Sequence, residues 1–89
     1  MYYVYVLANQ NEDTYIGKTP DLRRRVDEHK KGRSQYTKDK NMELIYYEAF
    51  LSKKDADERE WKLKQDGRAR YGLMKRLNNS KETILVGLK

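Results

Sequence analysis

The chain begins with a run of aromatic and β-branched residues, YYVYVLA, in which apolar side chains occupy both alternating faces. Such a run is typical of a strand that is buried on both sides. The polar segment NQNED has the composition of a turn, and TYIG resumes the extended pattern, so residues 2–17 are predicted to form a β-hairpin. A later run, ELIYYEAF, again apolar on both faces, predicts a third strand.

The segments that follow these strands have helical patterns. The stretch TPDLRRRVDEH predicts a first helix with Thr19 as its N-cap, Pro20 at its first position and its end near Gly32. Ser52 is the predicted N-cap of a second helix, and Gly67 is its predicted end. The segment RARYGLMKRLN predicts a short third helix, while the terminal TILVGL is compatible with a late strand, an edge addition or a dimer contact.

The predicted order of elements is β-β-α-β-α-α, which indicates an α+β fold. We expect one small domain built on a three-stranded antiparallel sheet that is flanked by helices. A chain of 89 residues has room for one modest hydrophobic core. We assign residues 1–80 to this domain and residues 81–89 to a C-terminal tail, which would be an edge strand or an interaction segment.

The buried stripe of the first predicted helix contains two polar side chains. If Leu22 starts this stripe, the 100° spacing of a helix puts Arg25, Val26 and His29 on the same side. An unpaired charge at such a position costs several kcal/mol, so Arg25 needs a partner or a route to water. The only histidine of the chain therefore lies beside an arginine on a face that should pack against the core.

The second predicted helix shows the same feature, because Glu60 lies between Ala56 and Leu63 on its inward stripe. One explanation is a buried or half-buried Arg25–Glu60 ion pair that only sets the packing of the two helices. In that case His29 would be a packing residue whose polar atoms are satisfied. The other explanation is a functional site on this face of the sheet, with hydroxyl groups supplied by the tyrosines of the hairpin.

Basic residues are concentrated in two blocks of the chain. Residues 18–40 hold nine Lys or Arg against four acids, residues 67–89 hold six against one, and the formal net charge is +6. Two such blocks favour a partner with many phosphates, although a solvated lysine-rich surface is the simpler alternative. The candidate substrate-binding basic residues come from the first block: Lys18, Arg24, Arg33 and Lys38.

The composition also indicates in which cellular compartment the protein is expected. The absence of cysteine excludes disulfides and thiolate metal sites and is consistent with a reducing compartment. The apolar start of the chain lacks a basic leader and a cleavage site, and it ends far short of a membrane span. We therefore expect a cytoplasmic protein that is not associated with a membrane.

Two short motifs and the helices after them carry a resemblance to a known family. YVY at positions 3–5 and YIG at positions 15–17 resemble the two halves of the GIY-YIG nuclease signature, with Tyr3 and Val4 in place of its first glycine and isoleucine. KTPDLRRRVDEH is similar to the helix of that family that carries its arginine. ADEREWKLK is similar to the segment that carries its glutamate. The resemblance covers about residues 2–78 and is closest to the small stand-alone members of the family.

The resemblance implies a set of roles for individual residues. Glu60 would hold one divalent ion, Mg²⁺ or alternatively Mn²⁺, and Arg25 would neutralise charge on the phosphoryl oxygens. Tyr5 would take the proton from the attacking water, with Tyr15 beside it at the phosphate. A base role for Tyr5 requires a depressed pKa, since a free tyrosine has a pKa near 10. His29 would either take the base role itself or hold Tyr5 in place.

The function that the resemblance implies is metal-dependent endonuclease activity on phosphodiester bonds of DNA, with RNA as the less favoured substrate. Such an enzyme would be structure-specific or directed by a partner, and Tyr36 in the basic loop is a further candidate for substrate binding. The main alternative is a non-catalytic nucleic-acid-binding module on the same fold. A structural or interaction protein remains a third hypothesis. A protein partner and a homodimer are both left open.

Overall fold

The computed structural model describes residues 1–86 of the chain. The three strands in this part are β1 (Tyr2–Ala8), β2 (Thr14–Thr19) and β3 (Glu43–Phe50). The helices are α1 (Leu22–Lys30), α2 (Lys53–Gln65), α3 (Gly67–Arg76) and α4 (Asn78–Val86). The order β-β-α-β-α-α-α confirms the predicted α+β fold and adds a final helix to it.

The strand β1 lies at the centre of the sheet, with β2 and β3 antiparallel on its two sides. Because helices and loops cover both faces, the side chains of Tyr5 and Val6 are completely buried. The register places Tyr5 opposite Gly17 of β2 and opposite Tyr47 of β3. The alternation of β1 thus sends Tyr5 to one face of the sheet and Val6 to the other.

The two faces of the sheet carry different cores. The first core, between the sheet and the helices α2 and α3, is aliphatic and consists of Val4, Val6, Ile16, Ala56, Leu63, Leu73 and Leu77. The second core, under α1 and the loop after it, is smaller and combines tyrosines with aliphatic side chains: Tyr5, Leu7 and Met42, with Tyr15, Leu22 and Leu44 packed against them. The second face can therefore hold polar groups without interrupting the main core.

The start of α1 differs from the prediction. Asp21 is the N-cap, and its side chain accepts a hydrogen bond from the backbone N–H of Arg24. Thr19 is the last residue of β2, and its hydroxyl oxygen accepts a hydrogen bond from the backbone N–H of Asp21. The prediction of Thr19 as the N-cap and Pro20 as the first helical residue was therefore wrong, because the threonine hydroxyl shapes the turn before the helix instead.

The boundary between α2 and α3 also differs in detail. Ser52 is confirmed as the N-cap of α2, where its hydroxyl accepts from the backbone N–H of Asp55. The helix ends at Gln65, and Asp66 separates it from α3 by accepting hydrogen bonds from backbone N–H groups at the start of α3. Gly67 was predicted to end α2, but it is the first residue of α3, since an aspartate cap sets this boundary.

The C-terminal segment is helical where the structure describes it. The strand interpretation of TILVGL is wrong for residues 83–86, which belong to α4, and residues 87–89 lie outside the described part. Ile84 of this helix is buried, so α4 contributes to the domain. No helix within residues 1–86 is long and apolar enough to cross a membrane.

Candidate active site

The site is built around a close approach between Tyr5 and Gly17. The two residues are cross-strand partners, and a Cβ atom at position 17 would overlap the Tyr5 hydroxyl and lie 3.0 Å from the Tyr15 ring. Only glycine leaves the space that the Tyr5 side chain occupies. No separate role for Gly17 was predicted from the sequence. The available signal was a glycine inside an otherwise β-branched and aromatic strand pattern.

A chain of buried polar groups runs from Tyr5 into the loop after α1. The Tyr5 hydroxyl lies 2.9 Å from His29 Nε2, and His29 Nδ1 lies 2.7 Å from the Thr37 hydroxyl oxygen. His29 and Thr37 are 5% and 2% exposed. The sequence analysis identified Tyr5 and His29 but missed Thr37, because the segment around it has no periodicity that indicates where its side chain lies.

Burial shifts the pKa values of Tyr5 and His29 in opposite directions. Burial raises the pKa of Tyr5 to about 12, against a smaller opposing effect from the nearby Arg25 guanidinium. Burial and the positive charge of Arg25 lower the pKa of His29. Both side chains are therefore neutral at neutral pH. The depressed pKa that a base role for Tyr5 requires is the opposite of what its surroundings produce in the protein alone.

Arg25 is held in place by a residue of its own helix. Its Nη1 donates to Glu28 Oε1 at 2.8 Å, and this hydrogen bond is the main cause that raises the pKa of Arg25. Tyr5 and Tyr15 are also close enough to raise it. The sequence analysis did not name Glu28. Its position three residues after Arg25 is the signal that could have identified it, because side chains at that spacing meet on a helix.

Glu60 projects from α2 towards the same region. Its carboxylate lies 3.8 Å from Lys18 Nζ and 3.3 Å from Lys64 Nζ, and its side chain is 20% exposed. Its negative charge contributes to the raised pKa of Tyr5, so it acts on the same hydroxyl as Arg25 does. The proposed Arg25–Glu60 ion pair was wrong: each of the two charges has a different partner.

The ammonium group of Lys18 contacts two acidic side chains of α2. Besides its contact with Glu60, it forms an ion pair and hydrogen bond with Asp57, which also pairs with Lys53 at 3.1 Å. The hydrogen bond to Asp57 is the main cause that raises the pKa of Lys18. Lys18, predicted from the sequence as a substrate-binding residue, therefore links β2 to α2 near Glu60.

The donor set around Glu60 fits a divalent ion that keeps part of its hydration shell. Within residues 1–86, no group of three or more His, Asp or Glu side chains is placed to enclose a metal. A single, partly exposed carboxylate is a suitable ligand for Mg²⁺, which commonly binds through one or two carboxylates, substrate phosphates and water. Lys64, which is largely exposed, can leave the carboxylate without disturbing the core.

Tyr15 and Tyr36 form the outer wall of the site. The Tyr15 ring packs edge-on against His29, with ring centroids 5.0 Å apart, and stacks with Tyr36 at 6.3 Å. Tyr36 is 75% exposed. The structure thus brings the loop tyrosine next to the buried groups. The remaining basic candidates lie in exposed positions of α1 and the loop: Arg24, Arg33 and Lys38.

The structure is a small antiparallel sheet with tyrosines, an arginine and a glutamate gathered at one edge, which is the class of a small α+β domain with a candidate catalytic site. Comparison with known families gives the particular family. Residues 1–78 match the family model described as the GIY-YIG catalytic domain. The chain therefore belongs to the GIY-YIG family, a nuclease family, and the resemblance noted in its sequence is confirmed.

Similar proteins carry the name UPF0213. A UPF0213 protein of Natronomonas pharaonis is 41% identical over 71 residues, which are 78% of this chain and 84% of the relative. The UPF0213 protein YazA of Bacillus subtilis is 34% identical over 88 residues, covering 96% and 89% of the two chains. The solution NMR structure of a UPF0213 protein of Bacillus halodurans superposes with a TM-score of 0.57 at 28% identity, covering 100% of this chain and 98% of that one.

Proposed function

We propose that this protein is a metal-dependent endonuclease that hydrolyses phosphodiester bonds in DNA. The observation that carries the proposal is the completely buried Tyr5 hydroxyl, 2.9 Å from His29 Nε2, with charges of both signs in its surroundings. Arg25 and Glu60 come from different helices and different ion pairs, yet both influence the pKa of Tyr5. A packing role alone does not require a buried phenol beside a glycine that makes room for it, with a guanidinium and a carboxylate close enough to influence the pKa of that phenol.

Arg25 is the candidate for stabilising charge on the phosphoryl group. Only its Nη1 is engaged with Glu28, so the rest of its planar fork remains to bind two oxygens of a phosphate. Glu28 fixes the orientation of the fork before substrate arrives. An oriented donor set of this kind stabilises developing negative charge without reorganisation during the reaction.

Tyr5 and His29 are the candidates for accepting the proton of the attacking water. Because the pKa of Tyr5 is about 12, Tyr5 remains protonated at neutral pH and does not act as a preformed phenolate. It would accept a proton from water at its oxygen while its own proton moves to His29 Nε2, which lies 2.9 Å away. In this scheme the neutral His29 is the base, and Tyr5 transmits the proton to it.

Glu60 is the candidate ligand for the divalent ion, Mg²⁺ or Mn²⁺. The bound ion would supply positive charge for the phosphate and for the leaving oxygen. In its absence Lys18 and Lys64 neutralise the carboxylate, at 3.8 Å and 3.3 Å. Lys18 remains tied to Asp57, so we expect Lys64 to be the cation that moves.

The surface around the site provides contacts for a nucleic acid. Tyr36 exposes its ring beside Tyr15, and aromatic rings of this kind stack with nucleobases. The exposed Arg24, Arg33 and Lys38 would bind backbone phosphates. These contacts read no particular sequence, which favours a structure-specific or partner-directed enzyme.

One observation favours the alternative of a non-catalytic nucleic-acid-binding module. Both lysine neighbours of Glu60 give this carboxylate a structural role that needs no metal. A binding module would use the same basic surface and Tyr36. Binding alone does not require the buried hydrogen bonds that connect Tyr5 and His29. For that reason we prefer the hypothesis of an enzyme to that of a binding module.

The test is cleavage of labelled single-stranded, duplex, flap and branched DNA, and of RNA, with Mg²⁺, with Mn²⁺ and with a chelator. We expect metal-dependent cleavage of at least one DNA by the wild type and none by Glu60→Gln. Glu58→Gln is the matched control, because it removes an exposed carboxylate from the same helix. Cleavage by Glu60→Gln at the wild-type rate would exclude the proposed role of Glu60.

A further inference from the structure

Thr37 is a buried polar residue for which the proposed mechanism has no role. It lies in the loop between α1 and β3, and its hydroxyl contacts the nitrogen of His29 that faces away from Tyr5. Backbone hydrogen bonds fix it there: its N–H donates to the Ser34 carbonyl at 3.2 Å, and its carbonyl accepts from the Lys40 N–H at 3.1 Å. Its position is therefore set by the loop backbone as well as by the histidine.

The neighbouring donors determine the direction of the hydrogen bonds. Arg25 is a donor only, and it lies close enough to the Tyr5 hydroxyl to lower the pKa of Tyr5, so any hydrogen bond between the two is donated by the guanidinium. Tyr5, whose oxygen faces that cation, then donates its proton to His29 Nε2. A neutral imidazole that accepts at Nε2 carries its proton at Nδ1, and Thr37 is the acceptor at that end.

We propose that Thr37 is a positioning residue that fixes His29 as the Nδ1–H tautomer and so keeps Nε2 available to accept the Tyr5 proton. The catalytic consequence rests on the proposed function, whereas the tautomer itself does not. The proton leaves Tyr5 for Nε2, and the resulting imidazolium keeps its Nδ1–H hydrogen bond to Thr37.

A cleft behind the histidine supports the acceptor role of Thr37. This cleft has a volume of about 420 Å³, and His29, Thr37, Asp39 and Asn41 are among the residues that line it. Thr37 is 2% exposed, but it lines this cleft, so its hydroxyl proton can be directed towards water there. The Thr37 oxygen is then free to accept from Nδ1, as the proposed tautomer requires.

The direct test is the ¹⁵N NMR spectrum of the imidazole, which is unambiguous because His29 is the only histidine. In the wild type at neutral pH we expect Nδ1 to be protonated and Nε2 to be unprotonated. Thr37→Val, which keeps the shape but removes the hydroxyl, should shift the ring towards a mixture of tautomers. Thr37→Ser should restore the wild-type spectrum, and Thr83→Val on the exposed face of α4 is the control.

An Nε2–H tautomer in the wild type would overturn the proposal without any variant, and so would an unchanged spectrum in folded Thr37→Val. In the cleavage assay, Thr37→Val should be about 10- to 100-fold slower, the loss that follows removal of a residue that orients a metal-binding histidine, and Thr37→Ser should be close to wild type. If the protein does not cleave DNA, the spectrum still decides the tautomer. If it cleaves DNA but the spectrum does not respond to Thr37→Val, only the role of Thr37 is wrong.

Discussion

Tyr5 and Gly17 are cross-strand partners on β1 and β2, and the hydroxyl of Tyr5 fills the space that a side chain at position 17 would need. The second core, which contains Tyr5, and the polar site on this face of the sheet both depend on this contact. The glycine provides room for a group that is completely buried yet within reach of His29 and Arg25.

Gly17→Ala should therefore disrupt the site. The added methyl group must displace the Tyr5 ring, and we expect a loss of about 1–3 kcal/mol in the free energy of unfolding together with loss of cleavage. Urea denaturation followed by circular dichroism measures the first effect. Gly72→Ala is the control, because a Cβ there meets nothing within 4 Å and alanine is the better helix former. A Gly17→Ala protein with wild-type stability and activity would contradict this account.

Tyr5→Phe tests the role of the hydroxyl with little change in packing. The ring still fills its place beside Gly17, but the proton transfer to His29 is lost, and we expect cleavage to fall by about 10²–10⁴-fold. Single-turnover cleavage rates provide the measurement. Tyr47→Phe, on the exposed edge strand β3, should cleave as the wild type does. If both variants retained activity, the Tyr5 hydroxyl would have no part in the reaction.

Arg25→Lys tests whether the planar fork is needed in addition to the charge. A lysine keeps the positive charge but cannot bind two phosphate oxygens while it contacts Glu28, so we expect cleavage to fall about 100-fold. The matched control is Arg23→Lys, an exposed position on the same helix, which should have no effect on the rate. Equal rates for Arg25→Lys and the wild type would show that charge alone suffices.

The lowered pKa of His29 predicts the pH dependence of both activity and stability. The imidazole must be neutral to act as a base, so cleavage should fall on acidification only below the ordinary histidine pKa of 6.5. Below pH 6.5, His29 binds a proton more readily in the unfolded chain than in the folded protein. The His29 contribution to stability is therefore complete above pH 6.5 and decreases as the pH falls below it.

The urea midpoint between pH 7.5 and 5.5 measures the contribution of His29, with His29→Gln as the variant that lacks the titrating group. The wild type should lose more stability over this range than the variant does. Identical pH dependence in the two proteins would show that the His29 pKa is not lowered by folding.

The sequence predicted the sheet more completely than the site. Both apolar runs became strands, and ELIYYEAF matches β3 residue for residue. Only β1 is buried on both faces, since Tyr47 and Ala49 of the edge strand β3 are exposed. Ser52 was correctly predicted as the N-cap of α2 because the hydrogen bond of a cap joins residues within one helical turn. Thr19 and Gly67 were misassigned because the side chains of Asp21 and Asp66 accept hydrogen bonds from the first backbone N–H groups of α1 and α3 and so set these boundaries.

The polar stripe identified which residues face the site but not how they pair. Arg25 and Glu60 both face inward, yet Arg25 binds Glu28 within its own helix and Glu60 lies between two lysines. The Thr37 contact with His29 depends on the path of a loop without periodicity. Contacts of this kind are set by tertiary structure, so a periodic pattern cannot reveal them.

The most direct test of the central claim separates binding from cleavage in Glu60→Gln. The measurement is the dissociation constant in a chelator and the single-turnover rate in Mg²⁺ on one labelled DNA, for this variant and the wild type. We predict similar or tighter binding, because an acid near phosphates has been removed, and loss of cleavage. Equal binding with no cleavage by either protein, or equal cleavage by both, would contradict the assignment of Glu60 as the metal ligand of a nuclease.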